Sequence, residues 1–283
     1  MRQAALKSLR TETSGGPYSG QPSKTSASSI PFSRVFKAEI LKGKAAAPRM
    51  MTLIFPLPLV AMVVYMGLGR HRWNPSFTNY WYALLLPTTI ILISASVAAI
   101  DSKQHWRTTL ALPASPASVW WAKILYCLLL TLGSVVLALG VSILATVSLG
   151  LQGPSVGSLL AAIAVLVIAG AWMIPLSLAL TTRFGTLSGI ALPLGLDLIV
   201  SISCWSQVGI WPYLPPCDLL NLPAPLLQVM PDGVPMAIED PSPIKTELSS
   251  FSGHSLIGLA VCLLVFVLLS MLTARWFSGK EAD

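Results

Sequence analysis

Between residues 50 and 277 the chain carries six apolar stretches, at 50–69, 80–100, 124–149, 159–181, 186–205 and 255–277. A bilayer core of ~30 Å is crossed by about 20 apolar residues in a helix, and each stretch reaches that length. Backbone polar groups inside lipid must be satisfied within the segment, so such stretches can only be helices. The predicted fold class is therefore all-α: a polytopic membrane protein with six transmembrane helices. Charged residues make up 10% of the chain and the mean hydropathy is +0.72, which excludes an ordinary soluble domain.

The charges between the spans set an orientation. Lys and Arg number nine in the first 49 residues, two at Arg70 and Arg72, and three at Lys103, Arg107 and Lys123. Arg183 follows span four, Lys245 follows span five, and Arg275 and Lys280 close the chain. Placing alternate connections on opposite sides gives fifteen on the N-terminal side and three on the other. Positive charge stays inside, so both termini are expected in the cytoplasm and the protein in the plasma membrane. The segment 206–254 would then lie outside, with five acids and one Lys. Asp218, Asp232, Glu239, Asp240 and Glu247 are read as keeping that loop soluble. The net charge of +7 is mostly this topological bias, and a nucleic-acid partner is not expected.

Residues 1–29 are rich in Ser, Thr, Gly, Pro and Gln and read as a disordered cytoplasmic tail. Residues 30–49 differ. Phe32, Val35, Phe36 and Ile40 recur at helical spacing, with Glu39 and Lys42 among the polar positions. This pattern predicts an amphipathic helix on the membrane surface, its apolar face at the lipid boundary. A six-helix transmembrane domain would fill 50–277, and 278–283 would be a second cytoplasmic tail. In the connection 101–123, a short helix is expected to end at Pro113, with Pro113-Ala-Ser-Pro116 as a stop. The Leu- and Pro-rich start of segment 207–254 predicts short helices that dip partway into the membrane, where other spans cover their backbone.

Chemistry is sparse. Asp197 is the ionisable residue deepest inside a predicted span, and an Asp at mid-helix costs roughly 2.5–3.5 kcal/mol on insertion scales. It is expected to be protonated or hydrogen-bonded to a neighbouring Ser or Thr, acting either as a tie between helices or as a contact for a cationic substrate or a part of gating. Trp172, mid-span, either packs helices or lines a path. Cys127 and Cys262 lie within spans; Cys204 and Cys217 can both reach the outer side, where a bond between them is open. His71, His105 and His254 lie far apart, and no zinc-type spacing occurs. One intramembrane carboxylate cannot form an aspartyl dyad, no His accompanies a Ser within a span, and G-x-x-x-x-G-K-[ST] is absent. An enzyme is not expected. Neither is a bound cofactor or metal; any ATP would be held by another chain.

Several short motifs in order carry a resemblance. Phe36-Lys-Ala-Glu39-Ile-Leu-Lys42, ahead of span one, resembles the start of ABC-2 type permeases. Asn79-Tyr-Trp81 with Pro87, Lys103 with Leu110-Ala-Leu-Pro113, Trp120-Trp-Ala-Lys123, and Trp211-Pro-Tyr-Leu-Pro215 are similar to the lantibiotic-immunity branch of that class. The similarity spans about residues 30–277. It implies a permease that pairs with a second homologous permease and a cytoplasmic ABC ATPase to expel an antimicrobial peptide from the membrane. It also implies that the connection after span two seats on the ATPase, through Asp101, Lys103, Trp106, Arg107, Leu110 and Pro113. The surface helix with Phe32, Phe36, Glu39 and Lys42 would flank it. Another cargo, or a membrane scaffold or sensor without transport, are the alternatives.

Overall fold

The computed structural model describes residues 30–70, 75–102, 114–150, 153–236 and 242–279. Six of its helical segments are long and apolar enough to cross a membrane: Ala47–Met66, Pro75–Asp101, Pro116–Ala145, Val156–Phe184, Thr186–Cys204 and Gly253–Ser278. No strand occurs among the described residues, only an isolated bridge between Val229 and Pro235.

Helix α1, Phe32–Lys42, precedes the bundle, and a tight turn at Gly43–Ala45 leads into α2, Ala47–Ile54. The first span is α2 followed by α3, Leu57–Arg70, with the break at Phe55 and Pro56, where proline cannot supply the next backbone donor. The second span begins as α4, Pro75–Tyr80, and continues into α5, Leu86–Ser102. Between them Trp81–Leu85 is wound as a π-helix, with the Leu86 amide donating to the Trp81 carbonyl. Pro87 follows at once; the wider turn sits where the proline ring would crowd an α-helical carbonyl.

The third span, α6, runs Pro116–Leu149. It starts earlier than hydropathy alone suggests. The expected stop begins at Pro113, outside the described residues; Ser115 caps the new helix, its hydroxyl accepting from the Ser118 amide at 3.3 Å, and Pro116 occupies the first turn. The fourth span is broken into α7, Val156–Gly170, and α8, Met173–Phe184. Gly185, at φ 93°, turns the chain directly into α9, Thr186–Cys204.

Short helices fill the far end of the bundle: a turn at Trp211–Tyr213, then α10, Pro215–Asn221, α11, Ala224–Leu227, and α12, Pro243–Leu248. The last span is α13, Gly253–Ser278, opened by a capping box between Ser252 and Ser255. Trp211, Cys217, Leu219, Leu222 and Leu227 are buried, so α10 and α11 form a plug packed on α7, α9 and α13 rather than a solvated loop. Asn79 fastens this plug to span two: its side-chain amide donates to the carbonyls of Met230 at 3.1 Å and Pro231 at 3.3 Å.

The centre of the bundle is α5. Leu86, Ile90, Ile91, Ile93, Val97 and Ala98 are all buried, against α2, α6, α8 and α9. By contrast α13 exposes Leu256, Leu264, Leu268 and Leu272, as expected of a helix whose outer face meets lipid. Lipid offers apolar side chains no reason to leave it, so close helix pairs here depend on small residues and interhelical hydrogen bonds. Ser177 of α8 provides one such link, its hydroxyl 2.8 Å from the Gly189 carbonyl of α9 and 3.2 Å from the Ile91 carbonyl of α5.

Gly189 shows how tight this seam is. A β-carbon there would stand 2.8 Å from the Thr181 backbone nitrogen, which no side-chain rotation relieves. Gly195, two turns along, has nothing within 4 Å of the same point. Gly189→Ala should therefore lower the unfolding temperature in detergent, reflecting an overpacking cost of roughly 1–3 kcal/mol. Gly195→Ala should leave it unchanged; equal effects of the two substitutions would refute the seam.

Candidate functional site: a buried charge cluster beside the span two–three connection

Where α1 meets the bundle, Val35 packs with Val119 and Ala122 of the first turns of α6. Glu39 lies one turn after Val35 and so points the same way, into the protein rather than into water or lipid. Across from it, Asp101 ends span two and Lys123 projects from the second turn of α6. Lys123 and Asp101 are each 1% exposed, Glu39 is 4% and Lys42 is 29%.

These four side chains form a closed ring of charge. Lys42 Nζ lies 2.8 Å from Glu39 Oε1 and 3.2 Å from Asp101 Oδ1. Lys123 Nζ lies 3.0 Å from Glu39 Oε2 and in direct contact with Asp101 Oδ2. Each ammonium bridges both carboxylates, and every carboxylate oxygen takes one cation. The net charge is zero. Burying an ion costs several kcal/mol of hydration even after relaxation, so balance and full hydrogen bonding are what make the cluster tolerable. Its mechanical consequence is that α1, the end of span two and the start of span three are bound to one point.

Neighbouring contacts brace the same end. Arg49 Nη2 donates to the Ile40 carbonyl at 2.9 Å, and its Nε lies 3.4 Å from the Tyr126 hydroxyl. Trp120 Nε1 donates to Thr273 Oγ1 at 3.0 Å, and its ring stacks on Phe277 at 4.8 Å between centroids. The end of α13 is thereby tied to α6. A groove of about 180 Å3 runs between α1 and the start of α6, bordered by Arg34, Glu39, Lys42, Ala114 and Val119.

Of the residues singled out from sequence, the structure brings Glu39, Lys42 and Asp101 into one cluster. Phe32 and Phe36 stack at 6.4 Å, Phe32 exposed and Phe36 half-buried. Lys103, Trp106, Arg107, Leu110 and Pro113 lie outside the described residues. The α1 face buried against α6 holds Glu39, so that helix does not simply sort apolar residues inward and charges outward.

Asp197 sits on α9, remote from this cluster, 2% exposed. Among the described residues its Oδ1 has no hydrogen-bond partner. Trp172 is buried among the helices, its Nε1 likewise unbonded. All four cysteines are free thiols; Cys217 points to the Val200 carbonyl, not to Cys204. No group of three His, Cys, Asp or Glu among the described residues could hold a metal.

Two residues escaped the sequence reading. Lys123 was a flanking charge so long as span three began at Ile124; the helix begins at Pro116, which places Lys123 two turns inside and demands an acidic partner. Asp218 was counted with the solubilising acids of the outer segment, yet it is fully buried on α10. It accepts from the Cys262 thiol at 3.2 Å, and Gly258 of α13 leaves room for its other oxygen. Burial pushes its carboxyl up to about 7, because no cation offsets the lost hydration.

A family model described as ABC-2 family transporter protein matches residues 35–204. The match runs from α1 through α9 and includes all four members of the charge cluster. No curated protein and no solved structure matches the chain.

The cluster makes a graded prediction. Lys123→Met leaves Glu39 and Asp101 buried with only Lys42 between them, and breaking a buried pair costs roughly 3–5 kcal/mol. The yield of monodisperse protein in detergent should collapse. Lys42→Ala, at a half-open position, should cost much less. Adding Glu39→Gln to Lys123→Met restores neutrality and should recover part of the loss; no recovery would refute charge balance as the cluster's organising feature.

Proposed function

This chain belongs to the ABC-2 family of transporter proteins, and on that premise we propose that it is the permease of an exporter that removes an amphipathic antimicrobial peptide from the membrane. Family membership makes it a multi-pass membrane transport subunit and implies an ABC ATPase as partner. ATP is bound by that partner, since the chain carries no phosphate-binding glycine loop. Its membrane is the plasma membrane, with the α1 end and both termini in the cytoplasm, in keeping with fifteen Lys and Arg on that side and three on the other. A second homologous permease completes the pathway.

One observation carries the coupling assignment. Asp101, the last residue of span two, is bound through Lys123 to span three and through Lys42 to α1. A push on the connection that starts there is transmitted to three helices at once rather than absorbed by a flexible joint. In this reading segment 101–113 seats on the ATPase, with Trp106 and Leu110 as apolar contacts and Lys103 and Arg107 beside them. The groove between α1 and Ala114 flanks it.

The cargo assignment is supported by the ordered motifs that resemble those of lantibiotic-immunity permeases, and by Asp232, Glu239, Asp240 and Glu247 of segment 206–254, Asp218 being buried. Such a loop favours a cationic peptide at short range, within the ~8 Å that physiological salt allows. A different cargo, such as a lipid-linked molecule, keeps the same coupling and is separated by the resistance phenotype.

Co-expression with a cognate ATPase in a peptide-sensitive host tests both halves. Trp106→Ala, or reversal of charge at Lys103 and Arg107, should abolish co-purification of the ATPase while membrane insertion stays normal. Host tolerance of the peptide should vanish with it. Unchanged co-purification would overturn the coupling assignment; intact complex without any gain in tolerance would overturn the cargo.

A further inference from the structure

A second cavity lies at the opposite end of the bundle, away from the charge cluster. It is a cleft of about 340 Å3 between the start of span two, the end of α9 and the loop after α11. That volume is within the range of sites that accept a small ligand or a bulky side chain.

Its walls are built, not incidental. One wall is the π-helical turn, which carries Ala83 and Leu84 and follows directly on Tyr80. Five residues of π-helix are rare, and such turns recur at functional positions. The opposite wall is the end of α9, with Ile202, and Trp205 just past it. The rim is a tight turn from Met230 to Val234, closed by the Met230 amide donating to the Val234 carbonyl at 2.8 Å and by the Gly233 amide donating to the Met230 carbonyl at 2.8 Å. Asn79 holds that turn against span two through the Met230 and Pro231 carbonyls. Asp232 stands exposed on it, with Oδ1 accepting from the Val234 amide at 2.9 Å.

The chemistry of the cleft is one-sided. Leu84 and Ile202 are exposed, and the apolar surface continues down α9 through Ile199 toward the lipid-facing side. At the rim are the Asp232 carboxylate and the rings of Tyr80 and Trp205. No Lys, Arg or His lines it, and Asp232 has no ion-pair partner among the described residues. A cationic head would find a carboxylate and two aromatic side chains at the rim, and an apolar body would lie along Leu84 and Ile202. A zwitterionic phospholipid fits less well, because its phosphodiester would meet the Asp232 carboxylate, with no cation among the described residues lining the cleft to receive it.

We propose that this cleft is a recognition site for an amphipathic cationic peptide, taking a Lys or Arg side chain at Asp232, Tyr80 and Trp205 and an adjacent apolar residue along Leu84 and Ile202. The assignment rests on the export reading and deepens it by naming where such a cargo is first held.

The test uses the full-length protein in phosphatidylcholine nanodiscs, without ATPase or nucleotide. The probe is a fluorescein-labelled amphipathic helical peptide with lysines on its polar face, read by anisotropy against empty discs. Asp232→Asn keeps the acceptor for the Val234 amide, so the turn survives while the charge is lost. It should weaken binding about fivefold, as for a partly exposed ion pair. Trp205→Leu, which leaves the backbone carbonyl that Asn221 uses, should weaken it further. Acetylating the peptide lysines should abolish the difference between wild type and Asp232→Asn. Equal affinity of wild type and both variants would overturn the proposal. So would displacement of the peptide by phosphatidylethanolamine in an Asp232-dependent manner, which would make the cleft a lipid-headgroup site. The same variants should still co-purify an ATPase that wild type retains. Failure of the wild-type protein to retain any ATPase strikes the export reading, and leaves the peptide measurement standing by itself.

Discussion

Lys123 is the interaction on which the rest of this structure turns. It is a primary ammonium inside a helix long and apolar enough to span a bilayer, and it survives there because Glu39 and Asp101 both reach it. Neither carboxylate could be buried without it, and Lys42 supplies the second positive charge that closes the ring. Four charges that would each be costly singly become a neutral joint. The three elements they belong to are separated along the chain, so the joint also sets where α1 lies and where the connection after span two departs. Under the coupling proposed above, this joint is where force from the ATPase would enter.

Away from that joint the structure depends on lipid as solvent. Helix α13 leaves most of its apolar side chains outward, while α5 is enclosed by its neighbours. Lipid is as apolar as these side chains, so hydrophobic burial does little to hold the helices together. Close contacts are made where a small residue admits a backbone, as at Gly189 against Thr181, or where a hydroxyl bridges carbonyls, as at Ser177. The prolines act within this frame: Phe55–Pro56 divides span one, and the π-turn before Pro87 re-aims the start of span two. That re-aiming brings Tyr80 and Leu84 to the cleft shared with α9.

The residues of the candidate site were legible to different degrees, for physical reasons. Glu39, Lys42 and Asp101 were visible as charges beside apolar runs, but as members of two separate features, a surface helix and a cytoplasmic connection. Nothing in their spacing indicates that they meet. Lys123 was hidden by one helical boundary: hydropathy falls at Trp120–Lys123, whereas the helix is set by the Ser115 cap and Pro116. Asp218 was hidden by its neighbours. Proline-rich, acidic sequence reads as solvated, yet the Leu side chains around it fold α10 inward and carry the carboxyl with them.

What the sequence determined alone was the solvent, the number of crossings and the family, because each follows from local composition: apolar length, charge placement and short ordered motifs. Tertiary structure decided which charges neutralise one another, which acids are buried, and which apolar and aromatic residues share a cleft. Those are relations between residues far apart in the chain, governed by packing distance and the cost of leaving a charge unpaired, and no window along the sequence contains them.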